Sequence, residues 1–82
     1  KLYKLTVIFD KEGREKRTIL AGLKEYFKPE ELKNRLIVVV YNLKPKKIAG
    51  YESQGMLLVA EKDNKIELVT INNEDLLGAY LR

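Results

Sequence analysis

Six consecutive apolar residues, Leu36-Ile37-Val38-Val39-Val40-Tyr41, restrict the fold of this chain more than any other stretch of it. Four of the six are β-branched, which favours a strand, and apolar side chains on both faces of a strand require cover from both sides. With 82 residues there is room for one small core, burying about 60–65% of the unfolded surface. A doubly covered strand in so short a chain points to a small barrel. Leu36–Tyr41 is therefore expected to be the most buried strand, with Val38, Val39 and Val40 nearly inaccessible. On that expectation Val39→Asp unfolds the domain by burying an unpaired charge.

The flanking segments fit the same class. Lys1 to Phe9 alternates, with Tyr3, Leu5, Val7 and Phe9 facing one way and Lys4 and Thr6 the other, as in a half-buried strand. Asp10-Lys11-Glu12-Gly13 reads as a hairpin turn into a second strand, Arg14 to Leu20, ended by Ala21-Gly22. Pro29-Glu30-Glu31-Leu32 marks a single helical turn, since proline suits a first helical position and the glutamates complement the helix dipole. After Tyr41, Asn42 to Gln54 reads as a long lysine-rich loop in which Pro45 and Gly50 break regular structure. Gly55 to Glu61 is a further strand, Asp63-Asn64 a turn, and Ile66 to Thr70 a short strand. In the tail, Asn72-Asn73-Glu74-Asp75 is a turn or helix cap and Ala79 to Arg82 a possible edge strand. Several short strands with one helical turn between the second and third describe an all-β oligonucleotide/oligosaccharide-binding (OB) barrel, apparently lacking its first strand.

Composition narrows the function. Cysteine and histidine are absent, which removes thiol nucleophiles, disulfides and the usual zinc ligands, and leaves Ser53 as the only serine. No catalytic residue, cofactor or metal is expected. Lys1 to Lys47 hold thirteen basic and six acidic residues, whereas Ile48 to Arg82 hold three and six, so one part is +7 and the other −3. Such asymmetry suggests a basic face for a polyanion; a lysine-rich solvated surface is the plain alternative. With no apolar run beyond six residues and no charged-then-apolar start, neither a membrane span nor a leader is expected, and the cytoplasm is the expected compartment.

The runs Pro29-Glu30-Glu31-Leu32, Val38 to Pro45 and Lys47 to Leu58, with Ser53-Gln54-Gly55-Met56 following an Asn42-Leu43-Lys44-Pro45 loop, closely resemble one family. It is the tRNA-binding domain shared by the β-subunit or C-terminal extension of methionyl-tRNA synthetase, free-standing structure-specific tRNA-binding proteins and the endothelial monocyte-activating polypeptide. Lys1-Leu2-Tyr3 and Arg17 to Leu23 resemble that family's second and third strands. Residues 1–82 then form one N-terminally incomplete domain of this kind, departing from the pattern where an acidic residue is often found between serine and glycine and Gln54 stands here. The resemblance implies binding at the outer corner of tRNA, with Asn42, Ser53 and Met56 at contact positions and the loop's basic residues on phosphates.

Each of these residues has a chemical case and an alternative. Lys44, Lys46 and Lys47 can meet phosphates from a loop that Pro45 stiffens, or can form a solvated cluster. Arg17 can offer bidentate donors to a phosphate or stack on a base, or can pair across the strands with Glu15. Asn42 suits a sugar hydroxyl or base edge, or closes a turn. The Ser53 hydroxyl can bond a phosphate or cap its own loop's backbone, and Met56 is either core or a polarizable surface for a base. The function expected is non-catalytic tRNA binding by shape and backbone charge, as a domain or subunit that assists methionyl-tRNA synthetase. The rival is a protein-interaction or export-chaperone-like module of the same fold. A homodimer is expected, through Ile71 to Arg82 or through the strand edge left open.

Overall fold

The computed structural model of the chain describes residues 1–82. Strand β1 (Tyr3–Ile8) pairs antiparallel with β2 (Lys16–Ala21), Tyr3 opposite Ala21 and Ile8 opposite Lys16. The reversal between them is built on Asp10, whose carboxylate accepts the backbone N–H groups of Arg14 at 2.8 Å and Glu15 at 2.9 Å. Gly13 closes the turn by donating its N–H to the Asp10 carbonyl at 3.1 Å with φ at +69°, a conformation that favours glycine. These backbone donors, the Glu15 N–H foremost, hold the Asp10 carboxyl below its ordinary range.

A lowered folded pKa makes the Asp10 contribution complete above the unfolded value of about 3.9 and removes it as the pH falls through the lowered one. Asp10→Asn is therefore expected to flatten the decline of melting temperature with acidification below about pH 4. Melting curves of both proteins at a series of acidic pH values check this. Equal slopes would show that the turn does not depend on the ionised carboxylate.

In β1 the alternation holds, with Tyr3, Leu5 and Val7 half-buried and Lys4 and Thr6 exposed. Strand β2 is covered on both faces: Ile19 is 0% exposed and the adjacent Leu20 is buried behind it. Beyond β2, Leu23 is buried under a turn in which its carbonyl accepts from Tyr26 and Phe27, and the Tyr3 hydroxyl donates to the Phe27 carbonyl at 2.6 Å. Helix α1 (Pro29–Leu32) is the expected single turn, opened by Pro29, with the Lys28 N–H donating to the Glu31 carboxylate at 2.7 Å.

The remaining strands are β3 (Val39–Val40), β4 (Lys46–Ile48), β5 (Tyr51–Ser53), β6 (Met56–Leu57), β7 (Val59–Lys62) and β8 (Lys65–Leu68). They pair antiparallel as β3 with β6, β4 with β5 and β7 with β8, and Ile37 bridges Thr70. Single backbone bonds stitch these ribbons together, including Gln54 N–H to the Thr18 carbonyl at 2.8 Å and Ile71 N–H to the Leu36 carbonyl at 3.0 Å. The result is an OB barrel whose wall is not closed by a continuous ladder, wrapped around Ile19, Leu20, Leu23, Val38 and Leu68.

The most deeply covered strand is β2, not Leu36–Tyr41. Within that run only Val38 is buried, at 4%, while Val39 and Val40 are half-buried and alone form regular strand. The cause lies in the backbone at Val38, whose N–H donates to Val69 at 3.2 Å while its carbonyl accepts from Leu58 at 3.1 Å. The run thus passes through a junction of two ribbons instead of lying within one sheet. The same junction splits the strand expected over Gly55–Glu61, since Leu58 lies between β6 and β7. Asn42–Gln54 is likewise not irregular, because it contains the β4–β5 hairpin. In the tail, Asn73 caps a 3₁₀ turn at Glu74–Leu76 by accepting the Asp75 N–H, while Ala79–Arg82 forms no strand. No helix is long and apolar enough to cross a membrane.

Candidate nucleic-acid interface

The lysine-rich loop owes its shape to two residues with positive φ, Ala49 at +52° and Gly50 at +84°, the pair of conformations that a tight two-residue hairpin turn uses. The register sets Lys46 opposite Ser53, Lys47 opposite Glu52 and Ile48 opposite Tyr51. Since neighbouring residues of a strand face opposite ways, Lys46, Ile48, Tyr51 and Ser53 share one face of the hairpin, and Lys47 and Glu52 the other. Lys44, Lys46 and Lys47 are all exposed, so the hairpin presents cations on both faces instead of as one flat cluster. Glu52 across from Lys47 offsets part of its charge.

Arg17 sits at the base of this hairpin. One nitrogen, Nη1, donates to the Tyr41 carbonyl at 2.9 Å and to the Gln54 carbonyl at 3.0 Å, the residues just before and just after the segment 42–53. Its guanidinium lies 3.6 Å from the centre of the Tyr41 ring, which Phe9 meets edge-on at 5.2 Å between centroids. The pairing of Arg17 with Glu15 does not occur. Glu15 instead accepts the Tyr41 hydroxyl, and that bond, more than burial, raises the Tyr41 pKa. Arg17 is thereby a tie across the ends of the loop, held by carbonyls and a ring.

Ser53 is buried, at 4% exposure, and its hydroxyl is engaged in both directions: it accepts the Leu20 N–H at 3.0 Å and donates to the Gly55 carbonyl at 3.1 Å. Both partners are backbone groups, one on β2 and the other two residues further along the chain. Gln54 continues the pattern, its side-chain oxygen accepting the Thr18 N–H at 2.9 Å. Side-chain oxygens here take the place of a partner strand's carbonyls along β2. A Cβ on Gly55 would stand 3.1 Å from the Val40 carbonyl and 3.2 Å from Ile19, so glycine is what lets this corner press against the core. Asn42 is exposed beside Tyr41, and Met56 is 50% exposed, at the surface and not in the core.

Asn42, Lys44, Lys46, Lys47 and Met56 are exposed, Arg17 is half-buried with Nη1 bonded to two carbonyls, and Ser53 is buried with its hydroxyl bonded to the backbone. Three residues outside that set also reach this region. The Lys4 ammonium lies 4.7 Å from the centre of the half-exposed Tyr51 ring, and Gln54 lies beside both. A lone tyrosine in a lysine-rich loop was the available signal for this group. Lys4 reaches it only through the pairing of β1 and β2, which spacing along the chain does not reveal.

Residues 1–79 match the family described as "Putative tRNA binding domain". The chain is 53% identical over 79 residues to the methionine–tRNA ligase of Pyrococcus furiosus and 54% identical over 67 residues to that of Thermotoga maritima. These matches cover 96% and 82% of this chain, which spans only 11% of the length of each relative. Among solved structures, a MetRS related protein from Pyrococcus horikoshii superposes with a TM-score of 0.88 at 44% identity, over 100% of this chain and 73% of that one. The chaperone CsaA from Bacillus anthracis superposes with a TM-score of 0.80 at 26% identity, over 96% of this chain and 74% of that one.

Proposed function

The chain belongs to the tRNA-binding domain family and is related to a segment of methionine–tRNA ligases, and from that membership we propose that it binds tRNA without catalysing a reaction and so assists aminoacylation by a methionyl-tRNA synthetase. A domain of this kind, tethered to or associated with the catalytic subunit, raises the local concentration of tRNA there. The observation that carries the reading is the exposed β4–β5 hairpin with the residues leading into it, whose Lys44, Lys46 and Lys47 stand on a base tied by Arg17. Lysines placed this way meet phosphates as point charges and recognise backbone shape more than sequence. Asn42 and Met56 add uncharged contacts at the foot of the hairpin.

Three phosphate contacts give a slope of about −3 for log affinity against log salt. Lys47→Ala is expected to weaken tRNA binding and make that slope shallower by about one unit, whereas Met56→Ala weakens binding at constant slope. Gel shifts with tRNA, duplex RNA and single-stranded DNA across a salt series test both points. Equal binding of all three nucleic acids, or a Lys47→Ala protein indistinguishable from the parent, would remove the hairpin as the tRNA surface.

A second reading has its own support in the likeness to CsaA, which is named a chaperone, and in exposed apolar side chains at Leu43, Met56 and Leu58. An unstructured polypeptide that displaces tRNA at micromolar concentration would favour it. Self-association is part of the proposal as well. Tyr80 and Leu81, 88% and 63% exposed, offer an apolar surface within Ile71–Arg82 that a second copy can cover. Sedimentation is expected to show a dimer that Tyr80→Ser with Leu81→Ser converts to monomer; a parent protein that stays monomeric at high concentration refutes it.

A further inference from the structure

We propose that the groove between β1, β2 and β5 is a subsite for one unpaired nucleobase with a carbonyl edge, guanine or uracil, an inference that rests on the tRNA-binding reading and specifies a contact within it. Lys4, Thr18, Tyr51, Glu52 and Gln54 line this groove, which measures about 260 Å³. It is a shallow depression open to solvent, with room for one planar base laid against its lining residues.

The groove is selective because its donors have no hydrogen-bond acceptor within the protein. Gln54 is oriented by the backbone: its oxygen accepts the Thr18 N–H at 2.9 Å, which leaves the two amide N–H groups without an acceptor inside the protein. The Thr18 hydroxyl and the Lys4 ammonium also have no hydrogen-bond or ion-pair partner. Three donor groups lining one groove, none of them with a hydrogen-bond acceptor in the protein, complement a base oxygen such as guanine O6 or uracil O4; adenine and cytosine present an amino group at the corresponding place. Tyr51, 52% exposed, lines the same groove; the Lys4 ammonium lies over its ring, 4.7 Å from the centre, and the rest of the exposed ring is the surface on which a base can stack. Glu52 is the only acidic residue lining the groove, and its charge would repel a phosphate beside it and leave the Lys4 side as the favourable one.

Position adds to the case. The groove opens on the face of β1 and β2 that carries Lys4, Thr6 and Thr18, next to the buried Leu20 on that same face, and it borders the hairpin that carries Lys46. Phosphates held by the hairpin lysines would bring a neighbouring unstacked base within reach of Tyr51.

Fluorescence anisotropy with labelled tRNA, a uridine hexamer and an adenosine hexamer, each across a salt series, tests the subsite on the intact chain. The parent protein is expected to bind the uridine hexamer several-fold more tightly than the adenosine hexamer. Tyr51→Ala is expected to weaken uridine hexamer binding about tenfold with the salt slope unchanged, and Tyr51→Phe to restore it, because stacking needs the ring and not the hydroxyl. Gln54→Glu keeps an oxygen for the Thr18 N–H but loses the amide donors, so the ratio of the two hexamer affinities should fall to about one while both affinities drop. Tyr51 lies outside the core, so its variants keep the test valid even if the Gln54 variant folds poorly. Equal parental affinity for the two hexamers, or a Tyr51→Ala protein that binds like the parent, overturns the subsite. If tRNA binding remains sensitive to Lys47→Ala while those results are obtained, only the subsite falls; if the parent binds no tRNA, the tRNA reading falls and takes the subsite with it.

Discussion

Ile19→Asp is expected to abolish the cooperative melting transition. Ile19 is the one large side chain with no exposure at all, placed in the middle of the doubly covered β2 and facing the corner at Gly55. Truncation to alanine alone costs about 2–5 kcal/mol through lost burial and the cavity left behind. That is already a large part of the roughly 5–15 kcal/mol that holds a small domain together. Aspartate adds an uncompensated buried charge, worth several kcal/mol more after relaxation, and the total exceeds what the domain can lose. At half-buried Val39 the same aspartate keeps contact with water, so Val39→Asp is now expected to lower the melting temperature without erasing the transition. Circular dichroism melts of the two variants side by side decide the matter. A cooperative Ile19→Asp melt near the parent's would mean that β2 is not the centre of the core.

What could be read from the sequence was local, and what could not was a matter of partners distant along the chain. The alternation of Tyr3, Leu5 and Val7, the Asp10–Gly13 turn, the Pro29 helical turn and the Asp63–Asn64 turn each depend on residues within a few positions, and each stands where it was expected. The apolar run Leu36–Tyr41 announced burial but not which ribbons would flank it, and the backbone partners of Val38 are Leu58 and Val69, twenty or more residues further along the chain. The β4–β5 hairpin was hidden because Ala49 occupies a left-handed position that sequence patterns reserve for glycine or asparagine. For the site, the exposed lysines were legible as charge. The tasks of Ser53 and Arg17 were not, since the first is defined by Leu20 and the second by Tyr41 and Gln54, separations of 33, 24 and 37 residues.

Arg17→Ala should cost both stability and affinity, by a route that salt dependence separates from phosphate contact. Removing the guanidinium leaves the part-buried carbonyls of Tyr41 and Gln54 without their donor, at about 1–3 kcal/mol for an unsatisfied buried group. The lost contact with the Tyr41 ring adds about 0.5–1 kcal/mol. In a domain of this size a loss near 2 kcal/mol lowers the melting temperature by roughly 10 °C. Because the two carbonyls flank the segment that carries Lys44, Lys46 and Lys47, the hairpin loses the tie that fixes its angle to the barrel, and tRNA affinity is expected to fall about tenfold as positioned contacts become mobile. The salt slope should change by well under one unit, since the guanidinium is engaged with carbonyls and a ring and releases few counterions. Lys47→Ala gives the converse, a shallower slope at an unchanged melting temperature. Arg17→Lys keeps a cation and donors but loses the planar face, so it should recover part of the stability and only part of the affinity. An Arg17→Ala protein with its melting temperature intact and its slope shallower by a full unit would make Arg17 a phosphate ligand instead of a tie, and the hairpin would then owe its orientation to the Ser53–Gln54 bonds with β2 alone.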